Sequence, residues 1–186
     1  MTKYLIVDLE ATCAEGKERR DYKKTSESIE IGWVLVNSMY EIEKEGYMFI
    51  KPVRNPILTD FCTTLTGIAQ SNVDASLTFP FVMEKLKEVW GRSLKNYTLG
   101  SWGDYDNAQL IRDCAFHNYF YPFGLYINLK NELAIKRKIA PCGLQKALEI
   151  CGLTFEGRPH CGLDDAKNIA RIFIQERLID RYKEIL

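Results

Sequence analysis

The feature that most constrains this chain is a short apolar run near its start that ends in two acids. Residues 4–7 are Tyr, Leu, Ile and Val, and they are followed by Asp8, Leu9 and Glu10. An apolar run of this length with a β-branched pair predicts a buried strand. Because side chains alternate along a strand, Asp8 and Glu10 point to the same face.

Two acids on one face of a buried strand predict a divalent cation. Burial removes the hydration of both carboxylates, and their like charges repel each other, so a bound cation relieves both costs. Oxygen ligands at this spacing suit Mg²⁺ or Mn²⁺. The alternative is that Asp8 and Glu10 are solvated at the end of the strand, and the two acids alone do not decide between these interpretations.

Length and charge limit the architecture and the partners. The chain has 186 residues, of which 46% are hydrophobic, and this predicts a single domain over residues 1–186. Twenty-five basic and 25 acidic residues argue against a broad basic surface for nucleic acid. They still allow a small groove in which bound cations supply the positive charge.

The sequence predicts a cytoplasmic protein that does not cross a membrane. Its apolar runs are shorter than the roughly 20 residues that a membrane helix needs, and the N-terminus lacks the layout of a signal peptide. The six cysteines form no C-x-x-C pair, which is typical of small buried side chains in a reducing compartment. Nothing in the sequence indicates an obligate protein partner.

The pattern of elements predicts an α/β fold in which helices flank a central mixed sheet. The first strand and two more, at 29–36 and 40–50, form an antiparallel meander that turns at residues 37–38. Residues 13–28 are predicted to be a loop, and 51–72 a second loop with a helical turn at 59–64. The remaining elements are a helix at 78–90, a strand at 97–99, a helix at 105–120, a strand at 127–129, and helices at 131–139, 144–151 and 163–178.

A third acid of the site is expected from the start of the helix at 105–120. Asp104 lies where an N-cap residue satisfies free backbone N–H groups. Asp106 precedes Leu110 and Cys114 by four and eight positions, so it shares the helix face that packs on the sheet. Asp106 is therefore the candidate ligand and Asp104 the structural cap.

The same argument separates Asp164 from Asp165 at the start of the last helix. Asp165 lies on the apolar stripe with Ile169 and Phe173, whereas Asp164 lies on the polar side. Stabilisation of acids by the helix dipole explains Asp164 well and Asp165 poorly. His160 lies five residues before Asp165 in a glycine-rich loop, and histidine exchanges protons near neutral pH. The sequence therefore offers Asp165 as a fourth acid and His160 as a base.

These residues resemble the DEDDh group of 3′-to-5′ exonucleases. The resemblance rests on Asp8-Leu9-Glu10, on Asp106 at the head of a helix, and on His160 with Asp165 in an H-x4-D arrangement. The tyrosine-using sister group would show Tyr-x3-Asp, which is absent. Longer stretches resemble the Eri-like branch, which includes the histone-mRNA 3′-exonuclease: Asp60-Phe61-Cys62, Leu65-Thr66-Gly67-Ile68, Ser101-Trp102 and residues 157–171.

The resemblance implies a fold, a cofactor and a substrate. The fold is RNase H-like, the cofactors are two divalent ions (Mg²⁺ or Mn²⁺), and the substrates are 3′ ends of single-stranded RNA or DNA. Eukaryotic members often carry a SAP domain, for which these 186 residues leave no room.

The resemblance also assigns roles to single residues. Asp8 bridges both ions, Glu10 and Asp165 hold the ion that carries the attacking water, and Asp106 acts on the other ion through water. His160 takes the proton. Residues assigned to the terminal nucleotide are Leu9, Ala11, Thr12, Phe61, Leu65, Thr66 and Trp102.

Two other functions use the same residues. One is a nucleic-acid-binding module without catalysis, which the presence of all five catalytic residue types disfavours. The other is a metal-dependent phosphodiesterase or phosphatase that acts on small nucleotides, because chemistry at phosphorus would need the same acids. The sequence favours the exonuclease, and it favours RNA over DNA through the branch resemblance alone.

Overall fold

The computed structural model describes residues 3–91 and 93–180, and a five-stranded mixed sheet organises them. In chain order the strands are β1 (Lys3–Ala11), β2 (Ser28–Val36), β3 (Ile42–Phe49), β4 (Tyr97–Ser101) and β5 (Leu125–Asn128). Their spatial order is β3-β2-β1-β4-β5. The first three strands pair antiparallel, and β4 and β5 extend the sheet in parallel. The predicted α/β fold with an antiparallel meander is therefore confirmed, with β1 at the centre.

The described residues contain eight α-helices, several of which cover the two faces of this sheet. They are α1 (Arg19–Thr25), α2 (Asp60–Thr66), α3 (Gln70–Asp74), α4 (Phe79–Trp90), α5 (Tyr105–Phe116), α6 (Leu129–Arg137), α7 (Leu144–Ile150) and α8 (Gly162–Glu176), with a 3₁₀ turn at Leu94–Asn96. None of them is long and apolar enough to span a bilayer.

Three sequence predictions about local structure were wrong. The segment 13–28 is not all loop, because it contains α1 and ends in the first residue of β2. The segment 51–72 contains the whole of α2, which exceeds the helical turn predicted there, and the start of α3. The third strand begins at Ile42, because Asn37 builds a longer turn by accepting N–H bonds from Met39 and Glu41.

Alternation along β1 sorts its side chains between two cores. Leu5, Val7 and Leu9 pack with α4 and α5 on one face, whereas Tyr4 and Ile6 pack with α6, α7 and α8 on the other. Asp8 and Glu10 continue the even-numbered series, so they emerge on the face that α8 covers. Both acids lie within β1, which runs on to Ala11, rather than after it.

Two glycines let α8 approach the sheet at this point. Gly32 pairs with Asp8 across β1 and β2. A Cβ on Gly32 would lie only 1.9 Å from the carbonyl carbon of Gly162, the first residue of α8. Backbone therefore contacts backbone, and the first turn of α8 is brought directly beside the acids of β1.

Candidate active site

Three carboxylates from two elements meet at the end of β1. One ligand oxygen each from Asp8, Glu10 and Asp165 can be chosen so that all lie within 4.8 Å of one another. Glu10 is buried, and Asp8 and Asp165 are partly buried. Oxygen donors this close fit a hard divalent cation and provide no soft ligand for other metals.

A fourth acid is attached to the same strand. The backbone N–H of Leu9 donates to Oδ1 of Asp106 at 3.1 Å, and Asp106 is buried in the first turn of α5. Asp106 is therefore bound to the residue that separates Asp8 from Glu10 on β1. We refer to Asp8, Glu10, Asp106 and Asp165 together as the acid cluster.

Asp104 does not form the side-chain cap that the sequence predicted. It occupies the N-cap position of α5, yet its side chain accepts no N–H bond from the helix. Its backbone conformation explains this, because φ −92° and ψ −5° are helical rather than extended, so the carboxylate is not turned back over the first turn. Oδ1 instead accepts a bond from the Tyr126 hydroxyl at 3.3 Å.

Without a cation, the acid cluster holds its protons more tightly than ordinary carboxyl groups do. Burial and then the charges of Asp106 and Asp165 raise the pKa of Asp8 well above its usual range. Burial, Asp165 and Glu30 raise the pKa of Glu10 to about 8. Burial also raises the pKa of Asp106 to about 6, although the Leu9 N–H opposes it. This repulsion is what a bound cation would remove.

Glu30 is a fifth buried acid beside the cluster, and sequence reasoning missed it. It lies opposite Glu10 on β2, and Oε2 accepts the N–H of Gly162 at 3.3 Å. Burial raises the pKa of Glu30, and the Gly162 N–H and the charge of Arg158 act against that rise. Its position follows from strand register, which a single sequence does not fix.

His160 lies above the acid cluster on a short exposed loop, residues 157–161, which we call the histidine loop. The backbone N–H of His160 donates to Oδ2 of Asp165 at 2.8 Å. His160 adopts φ +61°, a left-handed conformation that is uncommon outside glycine and less unfavourable for His, Asn and Asp. Burial raises the pKa of Asp165, and the bond from His160 opposes that rise. The loop thus places an exposed imidazole next to a candidate ligand.

Asp164 lies in the first turn of α8, where the sequence argument expected stabilisation by the helix dipole, and it also contacts the histidine loop. Its Oδ2 accepts the N–H of Arg158 at 2.8 Å, so it holds the start of the histidine loop. Gly157 approaches so closely, at φ +88°, that a Cβ there would lie 2.3 Å from the Asp164 carboxyl carbon. The adjacent acids therefore have separate partners, the loop for Asp164 and the acid cluster for Asp165.

A cavity of about 600 Å³ opens where β1 ends. Three of the residues expected to contact a nucleotide line it, namely Thr12, Phe61 and Leu65. Thr12 is held in place because its Oγ1 accepts the N–H of Glu27 at 3.0 Å. The cavity therefore adjoins the strand that carries Asp8 and Glu10.

The other four expected contact residues lie outside the lining of this cavity. Leu9 is buried in the core, Ala11 is buried under α2, and Thr66 is fully buried with its hydroxyl donating to the carbonyl of Cys62. Trp102 packs near α7 and donates from Nε1 to the carbonyl of Cys142 at 3.0 Å. Backbone atoms of Leu9 and Ala11 remain near the acids, and a substrate role for these four residues stays a prediction.

Sequence reasoning missed part of the cavity wall. Arg19 and Tyr22 of α1, with Ser26 and Tyr105, also line the cavity, together with residues 13–16. The first three belong to the segment that was predicted to be a loop, which is polar and has no sustained period. The aromatic Tyr22 within this polar stretch was the available signal.

Comparison with known proteins places this geometry in a family. Residues 5–173 match the family described as "RNase_T: Exonuclease". The human "3'-5' exoribonuclease 1" is 38% identical over 182 residues, which cover 91% of this chain and 51% of the human protein. The Drosophila melanogaster "3'-5' exonuclease Snipper" is 32% identical, with 90% of this chain and 66% of that protein covered. This chain thus spans about half the length of the human relative.

Solved structures show the same domain. The nuclease domain of 3'hExo, "a DEDDh family member, bound to rAMP", is 35% identical and has a TM-score of 0.86, with 96% of this chain and 93% of that chain covered. Cell-death related nuclease 4 (CRN-4) is 26% identical, with a TM-score of 0.80 over 97% of this chain and 64% of that chain. The chain therefore belongs to the exonuclease family, in its DEDDh group of 3′-to-5′ exonucleases.

Proposed function

We propose that residues 1–186 form one exonuclease domain that removes nucleotides from the 3′ end of single-stranded RNA and releases nucleoside 5′-monophosphates. The observation that carries the proposal is the triad of Asp8, Glu10 and Asp165, with ligand atoms within 4.8 Å of one another beside a cavity of about 600 Å³. The volume falls in the range of roughly 300–1,000 Å³ that is usual for sites of small ligands. One terminal nucleotide is a ligand of that class.

The acid cluster fits a pair of divalent ions. Its donors are all carboxylate oxygens, and mutual repulsion raises their pKa values when no cation is present. Asp8, Glu10 and Asp165 would hold one ion, with Asp8 shared with the second, and Asp106 would act on the second through water. When bound, two such ions make water a better nucleophile at neutral pH and stabilise charge on the scissile phosphate. We propose Mg²⁺ or Mn²⁺ as the ions.

The protein's own residues supply the base and the position of the substrate. His160 is exposed, and its backbone N–H is bonded to Asp165. Because His160 is not assigned as a metal ligand, its imidazole is free to take the proton from the attacking water. Phe61 and Leu65 offer apolar surface on which the terminal base packs. A cavity that holds a single terminal nucleotide would make hydrolysis proceed one nucleotide at a time.

Relatives support RNA as the substrate. One structure shows "3'-end specific recognition of histone mRNA stem-loop by 3'-exonuclease", and another is of a nuclease domain "bound to rAMP". We propose single-stranded RNA 3′ ends as the partner, with DNA as a slower substrate. The six cysteines are free thiols, which supports a reducing compartment such as the cytoplasm.

The test is degradation of RNA and DNA oligomers that are labelled at the 5′ or the 3′ end. We expect the 5′-labelled oligomer to become shorter in single-nucleotide steps and the 3′ label to be released at once as a mononucleotide. A chelator should stop both reactions. Rapid hydrolysis of a mononucleotide ester with intact oligomers would instead favour the small-nucleotide phosphodiesterase. Hydrolysis that is undiminished in excess chelator would rule out a metal-dependent mechanism.

A further inference from the structure

One long side chain connects the histidine loop to a distant helix. Arg158 donates from Nη2 to the carbonyl of Thr66, the last residue of α2, which is 92 positions earlier in the chain. The backbone N–H of the same residue donates to Oδ2 of Asp164 in the first turn of α8. Arg158 therefore joins the end of α2 to the start of α8.

The contact at α2 is closely fitted. Gly67 ends α2 with φ +67°, and a Cβ there would lie 2.6 Å from Nη1 and 2.8 Å from Cζ of Arg158. The carbonyl groups at a helix C-terminus carry partial negative charge, and α2 has no basic residue of its own in its last turn. The guanidinium supplies that cation from outside the helix, and it remains charged at any pH used in an assay.

Both elements that Arg158 joins belong to the proposed site. Leu65, which lines the cavity, directly precedes Thr66. His160 follows Arg158 by two residues and is fixed to Asp165. This side chain therefore links the cavity wall at α2 to the loop that carries His160.

We infer that Arg158 is a positioning residue for hydrolysis. It holds the histidine loop and α2 at a fixed separation, so that the imidazole of His160 and the terminal nucleotide are correctly placed relative to each other. This inference rests on the proposed function. Arg158 acts through His160 and Leu65, and it is assigned no contact with the reacting atoms. Removal of a residue that orients the groups of a site typically lowers activity about 10–100-fold.

The test is a double-mutant cycle that uses kcat and KM for a single-stranded RNA oligomer. Arg158→Ala is measured in the parent and in a His160→Asn background, because Asn tolerates the left-handed backbone at this position. We expect Arg158→Ala to lower kcat about 10–100-fold in the parent and to leave kcat unchanged in the His160→Asn background. KM should rise in both backgrounds, because in each of them α2, which carries part of the cavity wall, has lost its hydrogen bond from Arg158.

A matched control is Arg171→Ala. Arg171 lies on α8 and donates to the carbonyl of Thr154 at 2.8 Å, so it also ties α8 to the preceding loop, yet it does not reach α2. We expect parental kcat and KM from this variant. Equal losses of kcat for Arg158→Ala in both backgrounds would overturn the inference, since a purely structural role would act regardless of the base.

Two further measurements keep the result interpretable. If Arg158→Ala does not fold, Arg158→Lys is measured in the same cycle, because it keeps a cation near α2 and loses the planar pair of donors. Asp165→Asn is run in every assay. An active Asp165→Asn would defeat the proposed function itself, whereas an inactive Asp165→Asn beside an Arg158→Ala with parental kcat and KM would defeat only the role of Arg158.

Discussion

The acid cluster and the histidine loop lie side by side, yet they are built in opposite ways. Three of the four acids sit on β1 and α8, where sheet pairing and the contact of Gly32 with Gly162 leave no room for adjustment. The histidine loop is exposed and is held by hydrogen bonds to Asp164, Asp165 and Thr66. The site thus combines fixed, buried charge with an exposed base, so changes in the two regions should affect different properties.

The largest expected effect on activity comes from substituting a member of the acid cluster. Asp165→Asn and Asp106→Asn should each lower turnover by about 10³-fold or more, because each removes a carboxylate that would hold the divalent ions on which the chemistry depends. The fold should survive, since an amide at either position relieves repulsion. Circular dichroism and a nuclease assay at saturating Mg²⁺ measure the two properties. An active Asp106→Asn variant would remove Asp106 from the cluster.

The base should affect activity separately from metal binding. His160→Ala and His160→Asn should lose activity about 10²–10⁴-fold, the usual contribution of a general base, while both keep affinity for metal and for RNA. Asn is the better matched variant because it accepts the positive φ of this position. Titration of Mn²⁺ and of a labelled oligomer gives the affinities. Loss of metal binding would make His160 a ligand and revive the phosphatase alternative.

The sequence predicted the acid cluster better than it predicted the contacts of the histidine loop, and the reason is physical. The alternation of β1 and the apolar stripe of α8 are local periods, so the faces of Asp8, Glu10 and Asp165 could be read from them. The link from Arg158 to Thr66 joins residues 92 apart, and no local period encodes it. The wall formed by α1 was missed because its polar segment shows no sustained helical period.

A substitution at Gly32 tests the close contact between β2 and the start of α8, which places Asp165 beside the acids of β1. Gly32→Ala would put a methyl group 1.9 Å from the backbone of Gly162, which must move. We expect a loss of about 3 kcal/mol in unfolding free energy, at the upper end for overpacking, together with weaker metal binding. Gly143→Ala is the control, since it has φ −63° and no neighbouring atom within 4 Å of its Cβ. Equal stability of the two variants in urea would contradict the contact.

The charge of the acid cluster should appear as a pH-dependent stability. The pKa of Glu10 is raised to about 8 and that of Asp106 to about 6, so the folded protein binds protons more tightly than the unfolded chain. In chelator, Tm should therefore rise as pH falls from 8 to 5, and the destabilisation should be complete above pH 8.

Mg²⁺ should reverse this effect where the acids are charged. At about 100 times its Kd, a ligand adds roughly 2.7 kcal/mol of stability, and we expect a larger Mg²⁺-induced rise in Tm at pH 8 than at pH 5. Glu10→Gln is the control, because it should flatten the pH dependence in chelator. A Tm that does not respond to Mg²⁺ at pH 8 would count against a shared metal site.

The smallest expected effect distinguishes two acids that lie two residues apart at the start of α5, the N-cap residue Asp104 and Asp106 in the first turn. Asp106 is buried against β1, whereas Asp104 makes no cap bond and only accepts a hydroxyl from Tyr126 at 3.3 Å. Asp104→Ala should therefore change the unfolding free energy by no more than about 0.5 kcal/mol, below the roughly 0.5–2 kcal/mol of a true N-cap, and should leave kcat at the parental value. Urea unfolding and turnover of the RNA oligomer measure both quantities. If Asp104→Ala were inactive while Asp106→Asn turned over normally, the register of α5 against β1 would be wrong, and the acid cluster would have to be rebuilt with Asp104 as its fourth member.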